Sequence, residues 1–159
     1  MPDLQKANLM RQAIELAHKN VASNLGGPFA ALVTRGGEVI ASGTNRVTSA
    51  NDPTAHAEIV AIRNACAALD SFQLTGCDLY TTCEPCPMCL GAIYWARPDR
   101  VFYAAGRDDA SQAGFDDGYI YREINRSPAE RDIFMQQALR DEALSIFAAW
   151  QEKDDRREY

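Results

Sequence analysis

Apolar positions recur along the chain with two different periods, and the changes of period mark out its elements. In "LMRQAIELAHKNVA" they fall at helical spacing, which predicts a first helix from about Leu4 to Ser23, broken by "GGP". "FAALVTRGGEVIASG" shifts to two β-branched runs joined at Gly36–Gly37, the pattern of a β-hairpin. The polar "TNRVTSANDPT" follows. Asp52 and Pro53 predict a helix start there, with a capping carboxylate and a proline in the first turn, continued by the alanine-rich "AHAEIVAIRNACAAL". "CDLYTTC" reads as a strand, "PCPMCLGAIYWA" as a helix that proline opens, and "DRVFYAA" as a further strand. "GRDDASQAGFDDGYIYREINRS" is loop-rich, "AERDIFMQQALRDEALSIFAAWQ" returns to helix, and "EKDDRREY" is a charged tail.

Strands that alternate with helices imply a sheet covered on both faces: a three-layer α/β/α sandwich with a mixed, mainly parallel central sheet. At 159 residues the chain fits one domain, residues 1–159, and neither a repeat nor a second domain is visible in it. The apolar share of 47% is that of an ordinary globular protein, which argues against disorder. No apolar run approaches the roughly 20 residues of a membrane helix. "MPDLQKANLM" lacks the basic start and apolar core of a secretory signal, so a cytoplasmic protein is expected. In that compartment the five cysteines are expected to be reduced or metal-bound. A net charge of −6 argues against a polynucleotide partner, whose binding draws on a basic surface.

The chemistry is concentrated in "CEPCPMC", Cys83 to Cys89, where three thiols stand three residues apart. An iron–sulfur cluster of the ferredoxin kind needs a further cysteine downstream, and none follows Cys89. A closed Cys3His zinc site would use Cys83, Cys86, Cys89 and a histidine, and would make the protein a structural zinc module. The rival set is His56, Cys86 and Cys89, with one tetrahedral position open to water as in catalytic zinc sites. Glu58, two residues from His56, is then placed to carry protons. His56-Ala57-Glu58 followed by Pro85-Cys86-Pro87-Met88-Cys89 fits H-x-E…P-C-x-x-C, the signature of zinc deaminases of nucleobases. On that reading Cys83, Cys66 and Cys77 are small buried thiols, His18 is a boundary side chain and Trp95 belongs to the core.

These motifs, with "GGPF", "TNRVTSANDPTAHAE", "VFYAA", "AGFDDGYIY" and the closing "EY", resemble the bacterial guanine deaminases of the cytidine-deaminase-like superfamily. The resemblance spans nearly the whole chain. It implies hydrolysis of guanine to xanthine and ammonia with one Zn2+ per active site, a zinc-bound hydroxide attacking C2 while Glu58 shuttles protons. It also implies substrate contacts from the Asn45 amide, the Ala57 backbone N–H, a stacking Phe29 and the Asp117 carboxylate. A homodimer is implied too, with residues 151–159 exchanged between subunits and Tyr159 closing an active site. The tRNA adenosine deaminases share the HAE and PCxxC elements, but they need a basic surface; other amino-heterocycles stay open as substrates.

Overall fold

The computed structural model describes residues 4–159, which divide into two compact units: one ending at Asp117, the other Gly118–Tyr159. In the first unit, helix α1 (Leu4–Ala22) precedes strands β1 (Ala30–Arg35) and β2 (Glu38–Thr44). The short helix α2 (Val47–Ala50) leads to α3 (Ala57–Leu69) and strand β3 (Cys77–Cys83). Helix α4 (Pro87–Ala96), strand β4 (Arg100–Ala105) and helix α5 (Arg107–Gln112) complete it.

The strand order is β2-β1-β3-β4. β1 is antiparallel to both β2 and β3, whereas β3 and β4 are parallel. The sheet is mixed, as expected, but its parallel character needs correction. Three of the four strands point one way, yet only one neighbouring pair is parallel. The cause is the hairpin: the tight turn at Gly36–Gly37 (φ +59° and +84°) reverses β1, which then lies between the co-directional β2 and β3.

Alternation along the strands sends side chains to two cores. On one face Ala31, Val33, Cys77 and Leu79 meet Ala57, Ala61 and Ala65 of α3 with Ile93 and Ala96 of α4. On the other, Leu32 and Tyr80 meet Leu9 and Ala13 of α1. The alanines of α3 let it lie directly on the sheet. Gly43 of β2 is part of that fit, because a Cβ there would fall 2.4 Å from the Ala57 carbonyl oxygen and 2.4 Å from the Ala61 nitrogen. Gly43→Ala is expected to lower unfolding free energy by about 1–3 kcal/mol, the range for overpacking a dense core, as measured by urea denaturation.

Two sequence expectations change here. The helix predicted at Asp52–Pro53 starts instead after His56, because the Asp52 carboxylate closes a turn, accepting from the Thr54 N–H at 2.8 Å and its hydroxyl at 2.7 Å. Trp95 is 64% exposed rather than core: α4 is apolar on all sides, and it buries Cys89, Ile93 and Ala96 instead.

The second unit holds α6 (Gly118–Ile124), a 3-10 turn at Pro128–Glu130 and α7 (Arg140–Glu152). The helix expected across residues 129–151 is therefore present only from Arg140. Within the unit, Asp132 accepts from the Tyr119 hydroxyl at 2.8 Å and pairs with Arg126 at 3.0 Å, which ties the start of the non-helical stretch 131–139 back to α6. No residue of this unit is buried, and Ile133 (77%), Phe134 (84%) and Phe147 (64%) are widely exposed.

Candidate metal centre

Two helix starts make the site. His56 is the N-cap of α3, with extended backbone (φ −66°, ψ 156°), so its ring stands ahead of the first turn. Cys86 is the N-cap of α4 (φ −67°, ψ 170°), followed by Pro87 in the first turn. The Cys86 sulfur caps its own helix by accepting from the Cys89 N–H at 3.5 Å. Pro87 costs nothing there, since the first helical N–H has no partner within the helix. Both sulfurs sit at the positive end of α4, which favours their ionised forms.

The three donor atoms converge. His56 Nδ1 is 3.5 Å from Cys86 Sγ and 3.5 Å from Cys89 Sγ, and all three lie within 4.8 Å of one another. A tetrahedral ion with Zn–S near 2.3 Å and Zn–N near 2.05 Å sets its N and S ligands about 3.5–3.6 Å apart. The spacing fits zinc. The Cys86 thiol is pushed down to about 4, first by the hydrogen bond from Cys89 and then by the His56 ring; the same bond pushes Cys89 up. His56 is raised, chiefly by its hydrogen bond to Cys86. Cation binding requires both sulfurs as thiolates, so it displaces a proton from the pair.

Cys83 stands apart. Its Sγ lies 3.8 Å from the Gly106 carbonyl oxygen, it is not among the three converging donors, and burial pushes its pKa up to about 11. It stays a thiol at neutral pH, and the four-ligand alternative has no geometric support.

Glu58, in the first turn of α3, is buried at 7% exposure. One carboxylate oxygen, Oε1, accepts from the Thr81 hydroxyl at 3.1 Å; the other, Oε2, lies 3.4 Å from Cys89 Sγ. Burial raises its pKa, which brings a carboxyl closer to the range where it can both take and give a proton.

Residues 4–105 match the family model described as the cytidine and deoxycytidylate deaminase zinc-binding region. The chain is 53% identical over 150 residues to the guanine deaminase of Bacillus subtilis, covering 94% of this chain and 96% of that protein. The X-ray structure of guanine deaminase from that organism superposes with a TM-score of 0.94 at 52% identity, over 96% of this chain and 98% of that one. The chain belongs to the cytidine and deoxycytidylate deaminase zinc-binding family. A second relative, the tRNA-specific adenosine deaminase of Agrobacterium fabrum, is 51% identical over 78 residues only, 49% of this chain and 51% of that protein. Zinc is the ion of the family's site, and the donor set of this deaminase-family chain is built for it.

The remaining sequence candidates are Asn45, Phe29, Asp117, Ala57 and Tyr159. Asn45 is buried; its Oδ1 accepts from the Gly27 and Val47 N–H groups, each at 3.2 Å, which leaves Nδ2 as its donor face. Phe29 adjoins it, its backbone carbonyl accepting from the Asn45 N–H at 3.1 Å, and its ring meets Phe115 edge-on at 4.9 Å. Asp117 is half-buried, has its pKa raised by desolvation, and lies 3.8 Å from the Arg107 Nε. Ala57 is fully buried, its N–H being one of the first-turn donors that a helix leaves unused. Tyr159 belongs to the second unit and is 70% exposed.

Sequence reasoning passed over three residues here. Asn20 is buried on α1, and its Nδ2 donates to the carbonyls of Gly27 and Asn45, each at 3.0 Å, fixing the segment that carries Asn45. Its signal was a polar residue falling on the apolar stripe after Leu9, Ala13 and Ala17. Phe115 lay unmarked in "AGFDDGYIY". Thr81 looked like any β-branched strand residue.

Proposed function

We propose that this protein hydrolyses guanine to xanthine and ammonia, with His56, Cys86 and Cys89 holding one Zn2+ and Glu58 carrying protons. The observation that carries the reading is the three-donor cluster with the buried Glu58 carboxylate turned toward it, Oε2 lying 3.4 Å from Cys89 Sγ. The near full-length likeness to a guanine deaminase, over 94% of the chain, supports the choice of substrate over the tRNA adenosine deaminases, whose likeness covers 49% to 63% of it. Zinc, when bound in such a site, polarises a water so that hydroxide is available near neutral pH.

The chain's own residues supply the rest. Glu58 takes the proton that the water gives up and passes it to the ring nitrogen beside C2. It then helps protonate the amino group that leaves as ammonia, so one water and one guanine give one xanthine and one ammonia. The Asn45 Nδ2 donates to an acceptor on the purine edge, its Oδ1 already fixed by two backbone N–H groups. Phe29 stacks on the base, with Phe115 holding the plane of its ring. Asp117 accepts N–H bonds from the amino-bearing edge, and the Ala57 N–H serves a substrate atom that reaches the start of α3. Fixing the base against the donors turns a slow hydrolysis into a positioned one.

The proposal extends to assembly and setting. The second unit exposes Ile133, Phe134 and Phe147 without burying any residue, which favours a homodimer in which it packs on the partner, residues 151–159 and Tyr159 closing an active site. All five cysteines are unpaired, in keeping with a cytoplasmic enzyme, and among the described residues no helix is long and apolar enough to cross a membrane. The test is ammonia release with guanine, adenine, cytosine, cytidine and an anticodon hairpin in parallel, using the full chain and a form ending at Glu152. Guanine is expected to turn over at least about 100-fold better than the others, well within the roughly 10⁴-fold that sites hydrogen-bonding a substrate group can reach, and the shortened form to lose about 10-fold or more in kcat. Equal turnover of all substrates overturns guanine specificity; unchanged kinetics of the shortened form removes Tyr159 from the site.

A further inference from the structure

The sheet supplies a part of the site that the zinc-deaminase signature does not contain. Thr81 is the fifth residue of β3, 1% exposed, and belongs to the alternating set that faces α3. Its register partners are Ala31 on β1 and Tyr103 on β4. Ala31 and Ala57 are both fully buried and small, so the first turn of α3 comes close enough for the Thr81 hydroxyl to reach Glu58.

A buried hydroxyl is costly unless bonded, and valine would fill the same volume without that cost. The three buried threonines of the sheet resolve this differently. Thr82 Oγ1 accepts from the Ala30 N–H at 3.2 Å, holding two strands together. Thr34 Oγ1, beside the irregularity in the β1–β2 register, has no hydrogen-bond partner. Thr81 alone among them donates to an acidic side chain, at 3.1 Å to Glu58 Oε1. The bond splits the carboxylate into two unlike edges: Oε1 anchored to the central sheet, Oε2 turned to the metal donors.

We propose that Thr81 is a positioning residue for deamination, fixing the rotation of the Glu58 carboxylate so that Oε2 faces the metal centre and the substrate. The inference rests on Glu58 being the proton carrier. A carboxylate free to turn about its last torsion would present the reactive oxygen in only part of its orientations, because that torsion is broad. Zinc itself does not depend on the contact, since Thr81 touches none of the three donors. The effect should therefore appear in turnover, not in metal content or substrate binding.

The experiment compares Thr81→Val, Thr81→Ser and Thr81→Ala in the zinc-loaded full chain, with Glu58→Gln alongside. Thr81→Val is expected to lower kcat by about 10–100-fold, the usual cost of losing a partner that orients a site residue, with KM within about 2-fold and one zinc per chain retained. Thr81→Ser should stay within about 3-fold of the parent, whereas Thr81→Ala, which differs from serine only by the missing hydroxyl, should fall as the valine variant does. That pair decides the question even if the valine variant does not fold. Parental kcat in Thr81→Val or Thr81→Ala, or equal losses in serine and alanine variants, overturns the proposal. Glu58→Gln separates the two readings: if it stays active the proton-carrier role fails, and if it is dead while Thr81→Val is unimpaired only the positioning role fails.

Discussion

Glu58→Gln is expected to abolish turnover while leaving the metal in place. Glutamine keeps the length of the side chain, and its amide oxygen can still accept from Thr81, now 3.1 Å from Oε1. What it removes is the ability to take a proton and return it. General acid–base catalysis contributes about 10²–10⁴-fold, and the same carboxylate is asked to serve two proton transfers here, so kcat should fall at least about 10³-fold. Zinc content, measured by atomic emission on the purified protein, should remain at one per chain, because Glu58 is not one of the three converging donors. Loss of zinc together with activity would make Glu58 a ligand and would end its role as proton carrier.

The second large effect separates the three cysteines of "CEPCPMC". Cys86→Ser and Cys89→Ser should both purify with little zinc and no activity, since each removes one corner of a three-donor site. At a zinc concentration about 1,000-fold above its dissociation constant, the ion stabilises the fold by about 4 kcal/mol, so the melting temperature should drop by about 10 °C. Cys83→Ser should keep one zinc per chain and activity within about 3-fold, because its sulfur faces the Gly106 carbonyl. A Cys83→Ser protein without zinc would restore the closed four-ligand site and remove the open position that hydrolysis needs.

The metal donors were legible from residue types at fixed spacing, H-x-E and P-C-x-x-C, and the second of these also announces its helix through Pro87. The hairpin, β3, α4 and β4 were legible from changes of apolar period and from their turn and proline signals. What failed were places where two local structures share one chemistry. Asp52 followed by Pro53 suits a helix N-terminus and a turn equally; the turn won because Thr54 supplied both donors to the carboxylate. The apolar run of α4 carries no period from which to choose a face, so its sequence points Trp95 inward as readily as Ile93 and Ala96, which are the ones the core takes. Asn20 and Thr81 were invisible for another reason. Their roles depend on partners 25 and 23 residues away in sequence, brought near only by sheet order.

That sheet order also dictates when the metal centre can exist during synthesis. A chain leaving the ribosome can close the β1–β2 hairpin once Thr44 has emerged, but His56 then has no thiol to meet. β3 must first add to the free edge of β1, and α4 must begin, before a sulfur 30 residues further on arrives beside the imidazole. Closing a loop of that length costs about 3–4 kcal/mol in chain entropy. Most of that cost falls on strand pairing and not on the ion, so zinc capture follows the pairing of β3 with β1, while β4 is still to come. A nascent chain stalled before Cys89 should be unable to hold the metal, however much zinc surrounds it.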